Sequence, residues 1–232
     1  PEALANYIKA LDVYKKSNDT VQMCKTISSL GHINYWMKEY ETSIEWQKKA
    51  LMLSKNIDDP ALDGLFFGRI GIAFDEMGIF DSAHYYNQLA VKMFKSIDDA
   101  YYLSQWYSNI GNTYIKEGKY LEAEKYITEA VNNSGSERLK TTSFTNLASV
   151  YTLTKRYNEA KVYLDSAYYL ANKYKQKEFL AEIYFRYYEY YKDQQKYKKA
   201  LSEYNNHFRL KDSILNADKT SQIANMRVRY ET

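Results

Sequence analysis

Few residues of this chain have the types and spacings that support bond-making chemistry. None of its histidines, His32, His84 and His207, has a second ligand at metal-binding spacing such as HxxxH or CxxC. The lone Cys24 excludes an internal disulfide and has no reactive motif around it. GxGxxG, GxxxxGK(S/T) and GxSxG are absent from the sequence. We therefore expect no metal site, no cofactor and no enzymatic activity.

The remaining polar candidates are asparagines and arginines suited to binding rather than to catalysis. An asparagine amide such as Asn109 or Asn146 can donate to and accept from a peptide backbone, whatever the side chains of that peptide. An arginine such as Arg69 or Arg186 can hold a carboxylate in a bidentate fork. Whether such residues act together depends on the elements that position them.

Those elements are clearest in residues 103–130, LSQWYSNIGNTYIKEGKYLEAEKYITEA. Apolar and small residues follow a helical period on both sides of Gly118, which predicts a helix, a tight turn and a second helix. A hairpin of this kind cannot bury both apolar stripes alone, so we expect copies that stack on it.

Copies are present along the chain. A leucine-like position in the first helix recurs with steps of 40, 40, 37 and 40 residues, at Leu30, Ile70, Ile110, Leu147 and Tyr187. Turn aromatics recur with the same steps at Tyr40, Phe80, Tyr120, Tyr157 and Tyr197. Asp19, Asp59 and Asp99 precede the first helices and are expected to cap them.

This pattern resembles the tetratricopeptide repeat. That repeat has a large residue, then Leu-Gly, Tyr, Gly, Tyr, Ala and Ala at fixed offsets. Most of these positions are met by Ile70-Gly71, Phe74, Gly78, Phe80, Ala83 and Ala90. Departures are also present. The turn glycine is replaced by Lys38, Lys155 and Gln195, and the second-helix aromatic by Gln47 and Asn87. The resemblance implies an all-α fold, a right-handed superhelix of helix-turn-helix repeats. The long unit is similar to the repeats of kinesin light chain and of bacterial peptide-sensing regulators.

The repeats predict one continuous solenoid over residues 1–215. It comprises a half repeat at 1–17 and full repeats at 20–56, 60–96, 100–133, 137–174 and 177–215. A C-terminal helix or stalk, truncated, is expected at 216–232. Because residues 1–17 match a second helix without its first helix, we expect the chain to come from a longer polypeptide.

The C-terminal segment carries a heptad-like seam of Leu210, Ile214, Ala217, Ser221, Ala224 and Val228. One interpretation is an end-cap helix that covers the last repeat. The other, for the part beyond Lys219, is a signalling stalk that supports a homodimer. The stretch LKDSILNADKTSQIANMRVRYET is similar to the segment that follows the repeats in bacterial membrane-bound sensor regulators, whose repeats lie outside the cytoplasmic membrane.

Composition limits the partners. The net charge is +3 and the lysines and glutamates are interspersed, so no basic stripe indicates nucleic-acid binding. The apolar runs are far shorter than the roughly 20 residues that span a bilayer. We therefore expect a membrane association only through a segment outside this chain.

We expect ligands to bind the concave side of the superhelix, which the first helices line. The residues predicted to face this groove are Asn109, Asn112, Asn146, Arg69, Arg186, His32, Tyr35, Trp36, Lys116 and Ser149. By resemblance to long-repeat proteins that bind extended peptides, Asn109 and Asn146 would hold the peptide backbone. The alternative is structural: the asparagines bond neighbouring helices and the arginines form ion pairs.

These observations predict a protein- or peptide-binding module without catalytic activity. It would be the sensor part of a bacterial membrane-bound transcriptional regulator, at the periplasmic face of the cytoplasmic membrane. The alternative is a cytoplasmic scaffold or adaptor. A third interpretation, a Rap-like phosphatase or transcription factor, requires an effector region before Pro1.

Overall fold

The computed structural model describes the backbone of residues 2–231 and the side chains of residues 4–217 and 219–221. Within the described backbone there are eleven helices and no strand. The helices are α1 (Glu2–Lys16), α2 (Thr20–Trp36), α3 (Tyr40–Ser54), α4 (Pro60–Glu76), α5 (Phe80–Ser96), α6 (Ala100–Lys116), α7 (Tyr120–Asn132), α8 (Glu137–Leu153), α9 (Tyr157–Lys173), α10 (Lys177–Asp193) and α11 (Tyr197–Glu231). The predicted all-α fold of consecutive helical hairpins is confirmed.

The chain divides into two compact units, Pro1–Asn133 and Ser134–Thr232. In the first, α1 packs on α2 and is followed by the hairpins α2/α3, α4/α5 and α6/α7. The second contains the hairpins α8/α9 and α10/α11, with α10 also packed on α8 and α9. The division falls at the short Ser134-Gly135-Ser136 link, where the repeat step shortens from 40 to 37 residues.

The predicted capping residues are confirmed. The carboxylates of Asp19 and Asp99 accept hydrogen bonds from the backbone N–H three residues later, each at 3.0 Å. Asp59 accepts from the N–H groups of Ala61 and Leu62 at 3.1 and 3.2 Å. These acids satisfy donors that the first turn of a helix leaves unpaired, which explains their 40-residue spacing without a catalytic role.

The hairpins from α2/α3 to α8/α9 depend on a close approach of their two helices at a small residue, whereas Tyr188 holds this position in α10/α11 and packs on Tyr204. Gly31, Gly71 and Gly111 occupy the position after the leucine-like residue, and a methyl group there would clash with the second helix, 2.4 Å from its nearest atom in each case. The contacted side chains are Gln47, Asn87 and Ile127, which share one register position. In α8 the buried Ala148 takes the glycine position, so the helices approach closely there with a small side chain.

Helix α11 extends over 35 residues, whereas α10 has 17. Leu210 and Ile214 are partly buried, but Ala217 and Ser221 of the same predicted seam are exposed. The seam positions Ala224 and Val228 lie outside the residues whose side chains the structure describes. Among the described helices, none is long and apolar enough to cross a membrane.

The turn inside each hairpin contains one residue in the left-handed backbone region. Gly78 and Gly118 have φ angles of 73° and 75°. Residues with a side chain hold the same place in the other hairpins, with φ of 64°, 59° and 58° at Lys38, Lys155 and Gln195. The left-handed region costs a residue with a Cβ about 1–2 kcal/mol. The turns at Lys38, Lys155 and Gln195 therefore have the same geometry as the glycine turns but are less stable.

We therefore expect Lys38→Gly and Lys155→Gly each to raise the free energy of unfolding by about 0.5–1 kcal/mol, because relief of the Cβ clash exceeds the added chain entropy of glycine. The control is Lys48→Gly, in the exposed middle of α3, which should lower stability by about 1 kcal/mol. Urea unfolding midpoints measure the difference. Turn and control variants that shift stability in the same direction would contradict the prediction.

Candidate ligand-binding face

In the first unit, the helices α2, α4 and α6 lie side by side, and we call their shared surface the first-helix face. Arg69 Nη1 on α4 donates to Ser28 Oγ on α2 at 2.5 Å, and Lys116 Nζ on α6 lies 2.5 Å from Asp75 Oδ2 on α4. Seven of the predicted site residues lie on these helices: His32, Tyr35, Trp36, Arg69, Asn109, Asn112 and Lys116.

An aromatic cluster occupies the end of α2 on this face. Trp36 is 73% exposed, and its indole N–H donates to His32 Nε2 at 3.1 Å. The Tyr35 ring contacts those of Trp36 and Tyr40, with centroids 5.7 Å apart in both pairs. Burial lowers the pKa of His32, and the nearby Arg69 guanidinium lowers it further. The lowered pKa and the hydrogen bond that His32 Nε2 accepts from Trp36 both indicate a neutral His32 that orients the tryptophan ring.

Two asparagines on α6 have side-chain amides without a protein partner among the described residues. The side chains of Asn109 and Asn112 are partly buried and form no hydrogen bond with any described residue. Their amides can each donate two hydrogen bonds and accept through one oxygen. The structural alternative requires these asparagines to bond neighbouring helices. Among the described side chains, neither Asn109 nor Asn112 forms such a hydrogen bond.

Lys116 is already engaged. Its Nζ lies 2.5 Å from Asp75 Oδ2 and 3.0 Å from Glu76 Oε1, so it links α6 to α4. Burial lowers the pKa of Lys116, but hydrogen bonds to these two carboxylates outweigh that effect and raise it. Lys116 therefore belongs to the framework of the first-helix face, and its charge is balanced.

A buried polar network supports Arg69. Ser28 Oγ donates to Gln47 Oε1 at 2.5 Å, and Gln47 Nε2 donates to the Ser28 carbonyl oxygen at 2.9 Å. Gln47 is 0% exposed and Ser28 is 1% exposed. Sequence reasoning missed this network, although Gln47 stood out as a polar residue at an aromatic position of the repeat.

The other predicted residues lie in the second unit. Asn146 and Ser149 are on α8, where Ser149 Oγ donates to the Thr145 carbonyl oxygen at 3.1 Å. The Asn146 Nδ2 atom is buried and has no partner among the described residues. Arg186 on α10 forms ion pairs with Glu182 and Glu189 of its own helix, at 2.5 and 2.7 Å.

The second unit also contains an open pocket of about 410 Å³ between α8 and α9. It is lined by Lys140, Phe144, Asp165, Ser166, Tyr169 and Leu170, none of which the sequence singled out. Asp165 is bonded to Tyr187 and Lys161, at 2.5 Å from each. The Asp165 carboxylate that lines this pocket is therefore already bonded to other side chains of the protein.

Within the described side chains, no group of three histidines, cysteines or carboxylates is placed to hold a metal ion. Cys24 is fully buried, and its thiol lies 3.7 Å from the Ala50 carbonyl oxygen. Burial raises the pKa of this thiol, and the nearby Asp63 carboxylate raises it further. These conditions favour the unreactive protonated thiol.

The sequence profile of the tetratricopeptide repeat matches residues 105–135 and 141–174. These stretches carry tetratricopeptide repeats. They comprise most of α6 to α9, and thus fall in both units. A comparison with curated protein sequences finds no relative of this chain.

Solved structures share the fold at low sequence identity. BtubC (BKLC) from P. vanneervenii superposes with a TM-score of 0.77 at 16% identity, over 92% of this chain and 91% of that one. Aspartyl phosphate phosphatase F from Bacillus subtilis gives 0.73 at 13% identity, over 88% and 64%. A Rap protein solved in complex with competence and sporulation factor gives 0.68 at 15% identity, over 91% and 72%. At these identities, the likeness establishes the helical-repeat fold.

The register position of Gln47 allows a paired stability test. Asn87 holds the same position in the next repeat, is 1% exposed, and has no partner for its amide among the described residues. Gln47→Leu should lower the free energy of unfolding by about 1–3 kcal/mol, because it leaves the Ser28 groups unpaired. Asn87→Val should raise it by about 1 kcal/mol, because it removes buried polar atoms that lack partners. Urea unfolding measures both variants, and effects of equal sign would refute the assignment.

A second prediction concerns the contact of His84 on α5 with Glu117 at the end of α6. Glu117 also lies 2.5 Å from Lys119 Nζ. Burial raises the pKa of Glu117, but hydrogen bonds from Lys119 and His84 outweigh that effect, so its pKa is lowered overall. A carboxylate with a lowered pKa stabilises the fold above its unfolded-state pKa of about 4.3, and this contribution is lost as the pH falls through the folded-state pKa.

Glu117→Gln should therefore be less stable than the parent chain at pH 7, and the difference should shrink on acidification below about pH 4. Thermal unfolding across that range measures the difference. The control is Glu45→Gln on α3, because Glu45 is exposed and makes no ion pair with a described side chain. A difference for Glu117→Gln that stays constant with pH would contradict the ion-pair account.

Proposed function

We propose that this chain is a non-catalytic module that binds a peptide or protein segment on the first-helix face of its first unit. One observation carries the proposal: Asn109 and Asn112 on α6 are only partly buried, and their side-chain amides make no hydrogen bond with described residues. An extended segment could pair its backbone with both amides, independently of its own side chains. The solved complex of a Rap protein with competence and sporulation factor supports recognition of a partner by this fold.

Trp36 would anchor an apolar side chain of the ligand. Its indole is 73% exposed, yet the hydrogen bond to His32 and the edge contact with Tyr35 fix its orientation. An aromatic ring that is held in place loses little conformational entropy when it is covered, which favours its use as an anchor. Trp106 is only 2% exposed and fills the core beside Phe94, so it is not available for this role.

At a finer level, we propose that the module is the sensor region of a bacterial membrane-bound regulator and that α11 transmits the binding event. The 35-residue length of α11 supports this role, as does the similarity of its sequence to the segment that follows the repeats in such regulators. A homodimer through α11 and a periplasmic location belong to the same proposal. The competing proposal is a cytoplasmic scaffold in which α11 caps the repeats. An apolar segment of about 20 residues encoded soon after Thr232 would favour the sensor.

Selection from a displayed library of random 12-residue peptides tests the binding function. Peptides enriched on the chain should bind about tenfold or more weakly to the Asn109→Ala/Asn112→Ala variant, because the lost amide bonds contribute about 0.5–1.5 kcal/mol each. Calorimetry measures the affinities. The control is Asn132→Ala, an exposed asparagine on α7, which should leave the affinity unchanged.

Tryptophan fluorescence gives a second readout. Binding should shift the emission of exposed Trp36 to shorter wavelength, and Trp36→Phe should abolish that shift while the buried Trp106 still emits. Failure to enrich any peptide, or equal affinities for the double-alanine and parent chains, would overturn the assignment of the first-helix face.

A further inference from the structure

The outer face of α11 carries a row of large, exposed apolar side chains. Their positions along the helix follow one another by four, three, four and seven residues, so helical periodicity places them on one side. Between 42% and 65% of each is exposed, and we call the row the α11 stripe: Tyr197, Leu201, Tyr204, Phe208 and Leu215. It shares no residue with the seam that begins at Leu210.

The same positions in the preceding second helix are covered. One repeat step of 40 residues relates the α11 stripe to Tyr157, Lys161, Leu164 and Tyr168 of α9. Leu164 is fully buried. The ring centroid of Tyr168 lies 5.9 Å from that of Tyr184, and the centroid of Tyr157 lies 6.1 Å from that of Tyr190. Because Tyr184 and Tyr190 belong to α10, this face of a second helix is one on which another helix packs.

The exposed stripe is unlike the outer face of a helix that only ends a repeat array. A terminal repeat needs a polar outer face, because nothing packs against it and it has to be soluble. In α11 the large apolar residues follow the spacing of an amphipathic helix, and Lys211 is the one charged residue that interrupts them. A contiguous exposed apolar surface of this kind marks an interaction site.

Basic residues accompany the α11 stripe. Lys211 lies in line with it, and Lys198 and Arg209 lie beside it on the exposed side of the helix. None of the three forms an ion pair with a described side chain. Asp212 is the one exposed acid between residues 197 and 215, since Glu203 is partly buried. The surroundings of the stripe are therefore electropositive.

We infer that the α11 stripe is the docking surface for an amphipathic helix of a partner protein, with acidic side chains beside its apolar face. The partner helix would pack as α10 packs on α9, with large apolar residues three and four positions apart, the spacing of Tyr184, Tyr187 and Tyr191. Its carboxylates would face Lys198, Arg209 and Lys211. This surface lies in the second unit and is a different site from the first-helix face.

Charge distinguishes this partner from a second copy of the chain. Two α11 stripes in contact would each contribute three cations and one exposed acid, and like charges that face each other across an interface disfavour association. An anionic lipid surface would match the cations, but the equivalent face of α9 receives a helix. The packing within the repeats therefore favours a helical partner, and the other two occupants become outcomes of the test.

The first test uses two synthetic peptides as probes. Each has the length of α10, 17 residues, with leucine or tyrosine at every third and fourth position and a hydrocarbon staple on the opposite side that holds the helix. One carries glutamates beside the apolar row and the other carries lysines. By calorimetry, the glutamate peptide should bind the chain, and the lysine peptide should bind at least about tenfold more weakly. No binding of either peptide would refute the docking surface, and equal affinities would refute the charge assignment.

Substitutions locate the peptide. Leu201→Ser and Phe208→Ser should each weaken binding of the glutamate peptide by about tenfold or more, because each removes a large apolar side chain from the contact. The control is Leu121→Ser, which changes a side chain that is 79% exposed on α7 and should leave the affinity unchanged. Lys198→Glu/Arg209→Glu should reverse the preference between the two peptides. Equal losses for Phe208→Ser and Leu121→Ser would contradict the assignment to α11.

Further measurements separate the possible occupants and the two sites. Phe208→Ser should leave the sedimentation equilibrium of the chain unchanged, and a loss of self-association would assign the stripe to a second copy instead. Binding to vesicles of phosphatidylserine and phosphatidylcholine that Phe208→Ser abolishes would assign it to a membrane. The Asn109→Ala/Asn112→Ala variant should bind the glutamate peptide as the parent chain does, and a weaker affinity would place that peptide on the first-helix face. Circular dichroism confirms that each variant is folded.

Discussion

The close approach of the two helices in each hairpin of the first unit is the constraint on which the other features of that unit depend. A glycine after the leucine-like position lets α2, α4 and α6 contact the second helix of the same hairpin without an intervening side chain. The residue opposite the glycine is consequently buried whatever its polarity. Ile127 satisfies this environment as an apolar residue, whereas Gln47 and Asn87 are polar residues in the same place.

That constraint connects the interior of the first unit to its surface. Gln47 cannot reach water, so its amide pairs with the hydroxyl and carbonyl groups of Ser28, one helix away. Ser28 then presents its oxygen to Arg69 on the following repeat. Gln47 departs from the aromatic residue of the repeat pattern, and through Ser28 it orients the Arg69 guanidinium on the first-helix face. Asn87 has no such partner among the described residues, which shows that the glycine contact alone does not create a network.

Sequence periodicity predicted the hairpins, the aspartate caps and the equivalence of Lys38, Lys155 and Gln195 to the turn glycines, because each depends on neighbouring residues in the chain. It also placed Trp36, Arg69 and Asn109 on first helices. It could not predict which polar residues find partners across repeats. Lys116 with Asp75, and Arg69 with Ser28, are each separated by 41 residues, and rotamer choice decides whether they meet. Nor could it predict the division at Ser134, since helical periodicity reports that a face is buried but not what covers it.

The uneven polarity of the hairpin interiors has a consequence for how stability is distributed along the first unit. In a repeat protein, stability is the sum of local contributions from neighbouring elements, so an unpaired buried amide lowers the stability of its own hairpin most. Asn87 places this cost in α4/α5, between the repeat that holds the aromatic cluster and the repeat that holds Asn109 and Asn112. Any gain from replacing Asn87 would therefore strengthen the repeat that joins Trp36 to Asn109.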